Sequence, residues 1–153
     1  RKLSVRVVIE VDSACTVVLC DRTMVEQVLL NLARNGMQAM QTMPTEFRKT
    51  HAHERVLTLC VKPAPASETN RWVEFSVTDQ GVGISTEVAE KLFTPFFTTR
   101  AEGMGLGLSL CRTVIEQHGG YLGHEPAKTR GTIFSFTLPA GPVAAHYPNE
   151  LLT

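Results

Sequence analysis

The sequence predicts an α/β domain of two layers, a mixed and mostly antiparallel sheet with its helices on one face. Three patterns carry that prediction. Apolar and polar side chains alternate over Leu3 to Val11 and again over Thr132 to Leu138, so both ends of the domain read as strands. Between them two long stretches, 21–40 and 106–118, repeat their apolar residues at the spacing of an amphipathic helix. Outer strands with inner helices give one sheet covered on one side, its other face left to solvent or a neighbouring domain.

The elements follow in chain order. Leu3 to Val11 is the first strand, and a shorter run at Thr16 to Leu19 suggests its hairpin partner. Asp21 supplies an N-cap, after which Val25, Val28, Leu29, Leu32, Gly36, Ala39 and Met40 share one helical face until Pro44 stops the pattern. Val56 to Val61 and Trp72 to Thr78 are alternating, β-branched runs, and the proline-containing stretch Lys62 to Asn70 joins them as a second hairpin. Ser85 caps a short helix running to Leu92, with Val88 inward. Phe93 to Glu102 is too irregular for an element and too aromatic for a solvated loop, which suggests a lid. Helical spacing returns through Leu110, Val114 and Ile115, and Gly119 with Gly120 ends it after His118. Strands at Tyr121 to His124 and Thr132 to Leu138 complete one domain over 1–139, followed by a loosely ordered tail over 140–153.

With 153 residues, 43% of them apolar, the chain holds one domain with a substantial core. Fifteen basic and fifteen acidic residues cancel, so no overall field gathers nucleic-acid backbones, and no nucleic-acid partner is expected. Cys15, Cys20, Cys60 and Cys111 lie in or beside apolar stretches without a C-x-x-C pair and read as core packing. His51 and His53, among Lys49, Glu54 and Arg55, read as a solvated loop rather than a metal site. No apolar run reaches the roughly eighteen residues of a membrane helix, and the Arg1-Lys2 start lacks the apolar core of a signal peptide. The expected setting is cytoplasmic, with no membrane contact by this domain. Because the chain opens directly in a strand pattern, it reads as a domain excised from a longer protein.

Two glycine-rich blocks and one helix face carry chemistry. Asp79 follows the strand ending at Thr78 and opens the block Asp79-Gln-Gly-Val-Gly-Ile84. Its carboxylate can accept a hydrogen bond from a ring amine where Gly81 and Gly83 let a flat base approach, although Asp-x-Gly alone is a common turn signal. Gly103, Gly105 and Gly107 alternate ahead of Ser109 at the start of a helix, where free amides and the helix dipole favour phosphate. That block has neither the strand–turn–helix setting of a dinucleotide fingerprint nor the Gly-Lys-Ser/Thr ending of a P-loop. Asn31 and Asn35 stand four residues apart on one face of the first helix, among apolar neighbours. Such amides either bond to each other or to a nearby loop, or face a cavity holding ligand oxygens and a hydrated cation.

In this order and spacing the residues resemble the ATP-binding domain of sensor histidine kinases, within the gyrase and heat-shock-90 type (GHKL) ATPase superfamily. The resemblance runs from about Leu3 to Pro139, with Asn31 to Met40 looking like its N box, Asp79 to Ile84 its G1 box, Phe93 to Arg100 its F box and Gly103 to Ser109 its G2 box. The Phe-Phe-Thr-Thr stretch and His118-Gly-Gly look like the nitrogen- and oxygen-sensing branch. The resemblance implies ATP and magnesium as cofactors. It assigns Asp79 to the adenine amino group with Thr132 in support, Asn35 to magnesium, and Asn31 and Arg34 to the neighbourhood of the phosphates. Thr98, Thr99 and Arg100 are implied to form the closing lid, and Gly103, Gly105 and Gly107 the phosphate-facing turn. Gln38, Gly81, Gly83, Ile84, Leu106 and Leu108 fall among the implied nucleotide contacts. Two positions depart from the family pattern: Arg100 where lysine is usual, which can still pair with phosphate, and Gly36 where alanine is usual, which weakens the helix slightly.

In the superfamily's hydrolases a glutamate one helical turn before the magnesium-binding asparagine activates water, and here that position is Asn31. A neutral amide is a poor general base, so transfer is expected over hydrolysis. Asn31 and Arg100 are then the expected catalytic residues, acting by position and charge once a nucleophile arrives from elsewhere. The expected partners are a histidine-bearing helical domain of a homodimeric parent kinase and a response-regulator receiver domain. None of His51, His53, His118, His124 and His146 has an acidic neighbour in a helix upstream of the N box, so the acceptor is expected outside this chain. Two other readings share the same residues: a serine kinase of the anti-sigma-factor type, and a non-catalytic module whose nucleotide controls the lid and partner docking, with Phe96 and Phe97 either serving that docking or simply anchoring the lid in the core.

Overall fold

The fold is that of a computed structural model, which describes residues 5–13, 17–41, 55–64, 71–95 and 107–141. Five strands and three helices are formed there: β1 (Arg6–Val11), α1 (Arg22–Gln41), β2 (Val56–Pro63), β3 (Trp72–Thr78), α2 (Thr86–Lys91), α3 (Gly107–Gln117), β4 (Leu122–Pro126) and β5 (Thr132–Pro139). The strands join in one sheet of order β1-β2-β3-β5-β4. Only β1 and β2 run parallel; every other pair is antiparallel, so the sheet is mixed and mostly antiparallel.

The parallel pair corrects the expected first hairpin. Parallel neighbours need a long crossover, and α1 lies in that crossover between β1 and β2. The run at 16–19, of which 17–19 are described, instead meets the far end of the chain. Val18 forms an isolated antiparallel bridge with Ala140, and the amides of Leu19 and Gly141 donate to Pro139 and Val17. Alternation alone identified strands here but could not choose their partners. The β2–β3 hairpin forms as expected, with Lys62 opposite Glu74 as a cross-strand ion pair on the open face.

Asp21 and Ser85 cap α1 and α2 and the two glycines end α3 as expected, while Pro44, expected to stop the first helix, lies outside the described residues. The Asp21 carboxylate accepts the Met24 amide at 3.0 Å, and the Ser85 hydroxyl accepts the Val88 amide at 3.2 Å. At the end of α3 the Gly119 amide donates to Glu116 and the Gly120 amide to Ile115, the paired bonds of a Schellman turn. Ala140 and Gly141, the first residues of the expected tail, are held by backbone bonds to Arg71 and Val17; residues 142–153 lie outside the described ones.

The core lies between the sheet and a helical layer in which α1 covers β2 and β3 while α3 covers β4 and β5. Alternate residues of β5 point into it, and Phe136 stacks on Phe75 of β3 with ring centroids 4.9 Å apart. Val28 and Leu32 of α1 and Cys111 and Ile115 of α3 fill the other side. Strand β1 is at the edge, beyond the two long helices, and its Val7, Ile9 and Val11 stay exposed. Alternation at β1 therefore reports the pleat and not what covers it.

Phe136 is 1% exposed and carries the ring stack, so Phe136→Ala should lower unfolding free energy by about 3–5 kcal/mol. Urea unfolding followed by circular dichroism measures this; an unchanged midpoint would show that the stack contributes nothing.

Candidate functional site

The carboxylate of Asp79 is only 4% exposed, at the point where β3 leaves the sheet. Pairing of β3 with β5 continues one step beyond Thr78, where the Asp79 amide donates to the Thr132 carbonyl at 3.0 Å. The same register brings the Thr132 amide to 3.3 Å from Oδ1, and the turn brings the Gly81 amide to 2.8 Å from that oxygen. Oδ1 is thus committed to the fold. Oδ2 has no donor among the described residues and is left to accept from a ligand. Burial raises the Asp79 pKa above the ordinary carboxylate value, with the Gly81 and Thr132 amides pulling back against it.

Neighbouring backbone approaches this carboxylate too closely for most side chains. Gly131 has φ +97°, and a Cβ there would lie 3.0 Å from Oδ1 and overlap the Asp79 carbonyl. From the helical side, a Cβ on Gly36 would meet Leu57 Cδ1 at 2.6 Å and Asp79 Cβ at 3.2 Å. The expected slight weakening of α1 by Gly36 is accordingly accompanied by a close crossing of α1 over the strand end. The Asp79–Ile84 turn also rests on α1, since a Cβ at Gly81 would meet Ala39 at 3.0 Å.

Helices α1 and α3 run antiparallel across the sheet. The Asp21 amide meets His118 at 2.9 Å, and ten residues further along α1 the Asn31 Nδ2 donates to Cys111 Sγ at 3.7 Å. The same direction carries Asn35 and Gln38 toward the N-terminus of α3. There Gly107 is exposed, with nothing within 4 Å of where a Cβ would lie, and the first helical amides have no intrahelical acceptors. Asp79, the second half of α1 and the start of α3 therefore converge at one end of the helical layer.

Among the expected site residues, Asp79, Gly81 and Thr132 are buried; Asn31, Asn35, Gln38, Gly83, Ile84 and Leu108 are half-buried; Arg34 and Gly107 are exposed. Thr98, Thr99, Arg100, Gly103, Gly105 and Leu106 lie outside the described residues, as do His51 and His53. Of the two alternatives for the asparagines, Asn31 bonds to Cys111, not to Asn35. The Asn35 side chain has no hydrogen-bond partner among the described residues, so its carbonyl suits one ligand position of a hydrated magnesium ion. Among those residues no group of three or more His, Cys, Asp or Glu could enclose a metal. Phosphate oxygens and water would therefore complete such a shell.

Sequence reasoning missed four supporting residues. Cys111, expected as plain packing, is buried and also receives Asn31, and its thiol pKa is raised by that burial. Gln80 accepts the Val56 amide through its side chain at 3.1 Å and the Arg130 guanidinium through its carbonyl at 3.0 Å, bracing the Asp79 turn against β2 and the loop before β5. His118, which the sequence shows only as the residue before the glycine stop, joins the end of α3 to the N-cap of α1. No sequence spacing signals these contacts, because each joins segments far apart in the chain.

Comparison with known proteins gives the chain's family and fold. A family described as histidine kinase-, DNA gyrase B-, and HSP90-like ATPase matches residues 20–142. The chain is 43% identical over 122 residues to the C4-dicarboxylate transport sensor protein DctS of Rhodobacter capsulatus, covering 80% of this chain and 17% of that protein. It is 38% identical over 140 residues to the sensor protein FixL of Bradyrhizobium diazoefficiens, covering 92% of this chain and 25% of that one. The chain thus spans a quarter or less of these relatives' length. Among solved structures, the catalytic domain of histidine kinase ThkA superposes with a TM-score of 0.66 at 32% identity, over 90% of this chain and 82% of that one. Full-length ShkA in complex with AMPPNP gives 0.69 at 24% identity, over 92% and 27%, and shows the fold alone. No helix among the described residues is long and apolar enough to cross a membrane. With the profile match covering most of its length, the chain belongs to the histidine kinase-, DNA gyrase B-, and HSP90-like ATPase family, as an ATPase domain of the sensor histidine kinase type.

Proposed function

We propose that this domain binds ATP with magnesium and passes the γ-phosphoryl group to a histidine on a separate, dimerising helical domain of a parent kinase. A response-regulator receiver domain then takes the phosphoryl group, and the domain works in the cytoplasm. The observation that carries the reading is Asp79, with one carboxylate oxygen committed to the Gly81 and Thr132 amides and the other lacking any donor among the described residues. An amino group on a purine ring supplies that donor, and the same end of the domain offers Asn35 and the amides of α3 for phosphates. Magnesium, when bound, neutralises phosphate charge, with Asn35 as its protein ligand and Asn31, Arg34 and Gln38 beside it.

Asn31 supports transfer over hydrolysis. Its amide is neutral and donates to the Cys111 thiol, so it cannot take a proton from water as a general base must. Thr98, Thr99 and Arg100 close over the nucleotide in this reading, and Gly103, Gly105 and Gly107 face the phosphates. The acceptor's imidazole nitrogen forms the new P–N bond while the bond to the β–γ bridging oxygen breaks and ADP leaves. The domain's share of the rate comes from alignment and charge stabilisation.

Two outcomes are expected. Given radiolabelled ATP and magnesium, the 153-residue chain should bind nucleotide without labelling itself, and should label a histidine-bearing helical domain supplied in trans. Rapid stoichiometric phosphorylation of one of its own histidines would refute this division of labour, and absence of nucleotide binding in calorimetry would refute the site.

Asp79→Asn separates function from stability. An amide cannot offer a second acceptor to the base, so affinity for ATP and ADP should fall by about 1.5–3 kcal/mol, the worth of a charge-assisted hydrogen bond. The Asp79 pKa is higher folded than unfolded, so its contribution to stability is fully present below the unfolded value and is lost as pH rises through the folded one. Asp79→Asn should therefore melt above wild type at neutral pH, with the difference closing in acid. Scanning calorimetry across pH measures it, and a variant that melts lower at neutral pH contradicts the burial cost.

A further inference from the structure

We propose that His118 is a positioning residue for the nucleotide site, a single-tautomer tie between the end of α3 and the cap of α1. The inference rests on the nucleotide reading above and adds how the two helices are kept in place. Nε2 lies 2.9 Å from the Asp21 amide nitrogen, which can only donate, so Nε2 is an acceptor and carries no proton. Nδ1 lies 2.7 Å from the Val114 carbonyl oxygen, which can only accept, so Nδ1 carries the hydrogen. One neutral tautomer satisfies both bonds, and no other protonation state does.

Both ends of the tie are rigid. On α3 the His118 amide is bonded to the Val114 and Ile115 carbonyls, and the Gly119 and Gly120 amides lock the turn that follows. On α1 the gripped residue is the N-cap itself: its carboxylate accepts from Met24 and its carbonyl from Val25. A second polar tie, Asn31 to Cys111, lies further along the same pair of helices. Two ties at different heights reinforce the angle that the apolar packing between the helices sets. That angle sets the distance from Asn35 to the first amides of α3, the two groups that would share the phosphates.

The test compares wild type with His118→Gln, whose amide oxygen can reach the Nε2 position, and His118→Leu, which keeps bulk without an acceptor. ADP with magnesium is titrated calorimetrically well below each Tm, and the imidazole tautomer is read from long-range ¹⁵N–¹H spectra of wild type. The expected results are an Nδ1–H tautomer, ADP affinity of His118→Gln within about twofold of wild type, and a roughly two- to tenfold loss in His118→Leu, the range of one neutral hydrogen bond. A merely structural role would lower the Tm of His118→Leu and leave its ADP affinity unchanged, which overturns the proposal. A protonated Nε2 overturns the tie directly, without any variant having to fold. Failure of wild type to bind ADP would overturn the nucleotide reading and the positioning role together, while the spectrum still decides whether the tie exists.

Discussion

Burial of the Asp79 carboxylate at the end of β3 is the constraint around which the domain is arranged. A carboxylate taken from water is costly unless donors meet it, and among the described residues Asp79 receives its two hydrogen bonds at one oxygen. The cost shows in its raised pKa. Among the described residues, small groups and backbone approach it closely: Gly36 from the helix, Gly81 from the turn, and Gly131 and Thr132 at the start of the last strand. The proposed nucleotide site is therefore a place where the fold accepts a burial penalty, which in that reading a ligand's donor relieves.

That arrangement depends on sheet register. Thr78 lies opposite Ile133, and the next step brings the Thr132 amide and carbonyl to Asp79. A one-residue slip would turn Phe134, Phe136 and Leu138 out of the core and take the Thr132 amide away from the carboxylate at once. The apolar alternation that stabilises β5 and the hydrogen bond that shapes the site are thus enforced by the same pairing. The helical layer works similarly. Apolar packing of Val28, Leu32, Cys111 and Ile115 brings α1 and α3 together and sets their crossing, and the two polar ties add directed contacts at two heights along the pair. The exposed Arg22–Glu26 and Arg112–Glu116 pairs lie along single helices and contribute little to that geometry.

Much of this was legible from residue order. The two long helices, their caps, the β2–β3 hairpin and the last strands appear close to where periodicity and turn chemistry put them, because those signals act within a few residues of their source. Asp79 was legible as a candidate for the same reason, as a glycine-flanked acid at a strand end. The partner of β1 was not, since an alternating strand fits either a hairpin or a parallel neighbour equally well. Nor was the purpose of Gly36, whose missing Cβ matters only because Leu57 and Asp79 lie beneath it.

By itself the sequence determined the class of the fold, the extent of its main elements and the chemical kinds of group available for a nucleotide. Those are consequences of short-range physics: side-chain period, capping and backbone freedom. Only the tertiary structure decided which oxygen of Asp79 is left open, that Asn31 is held by Cys111, and that His118 joins the ends of two helices 97 residues apart. Such contacts form when packing closes the chain on itself, and no local pattern encodes where a distant amide will arrive.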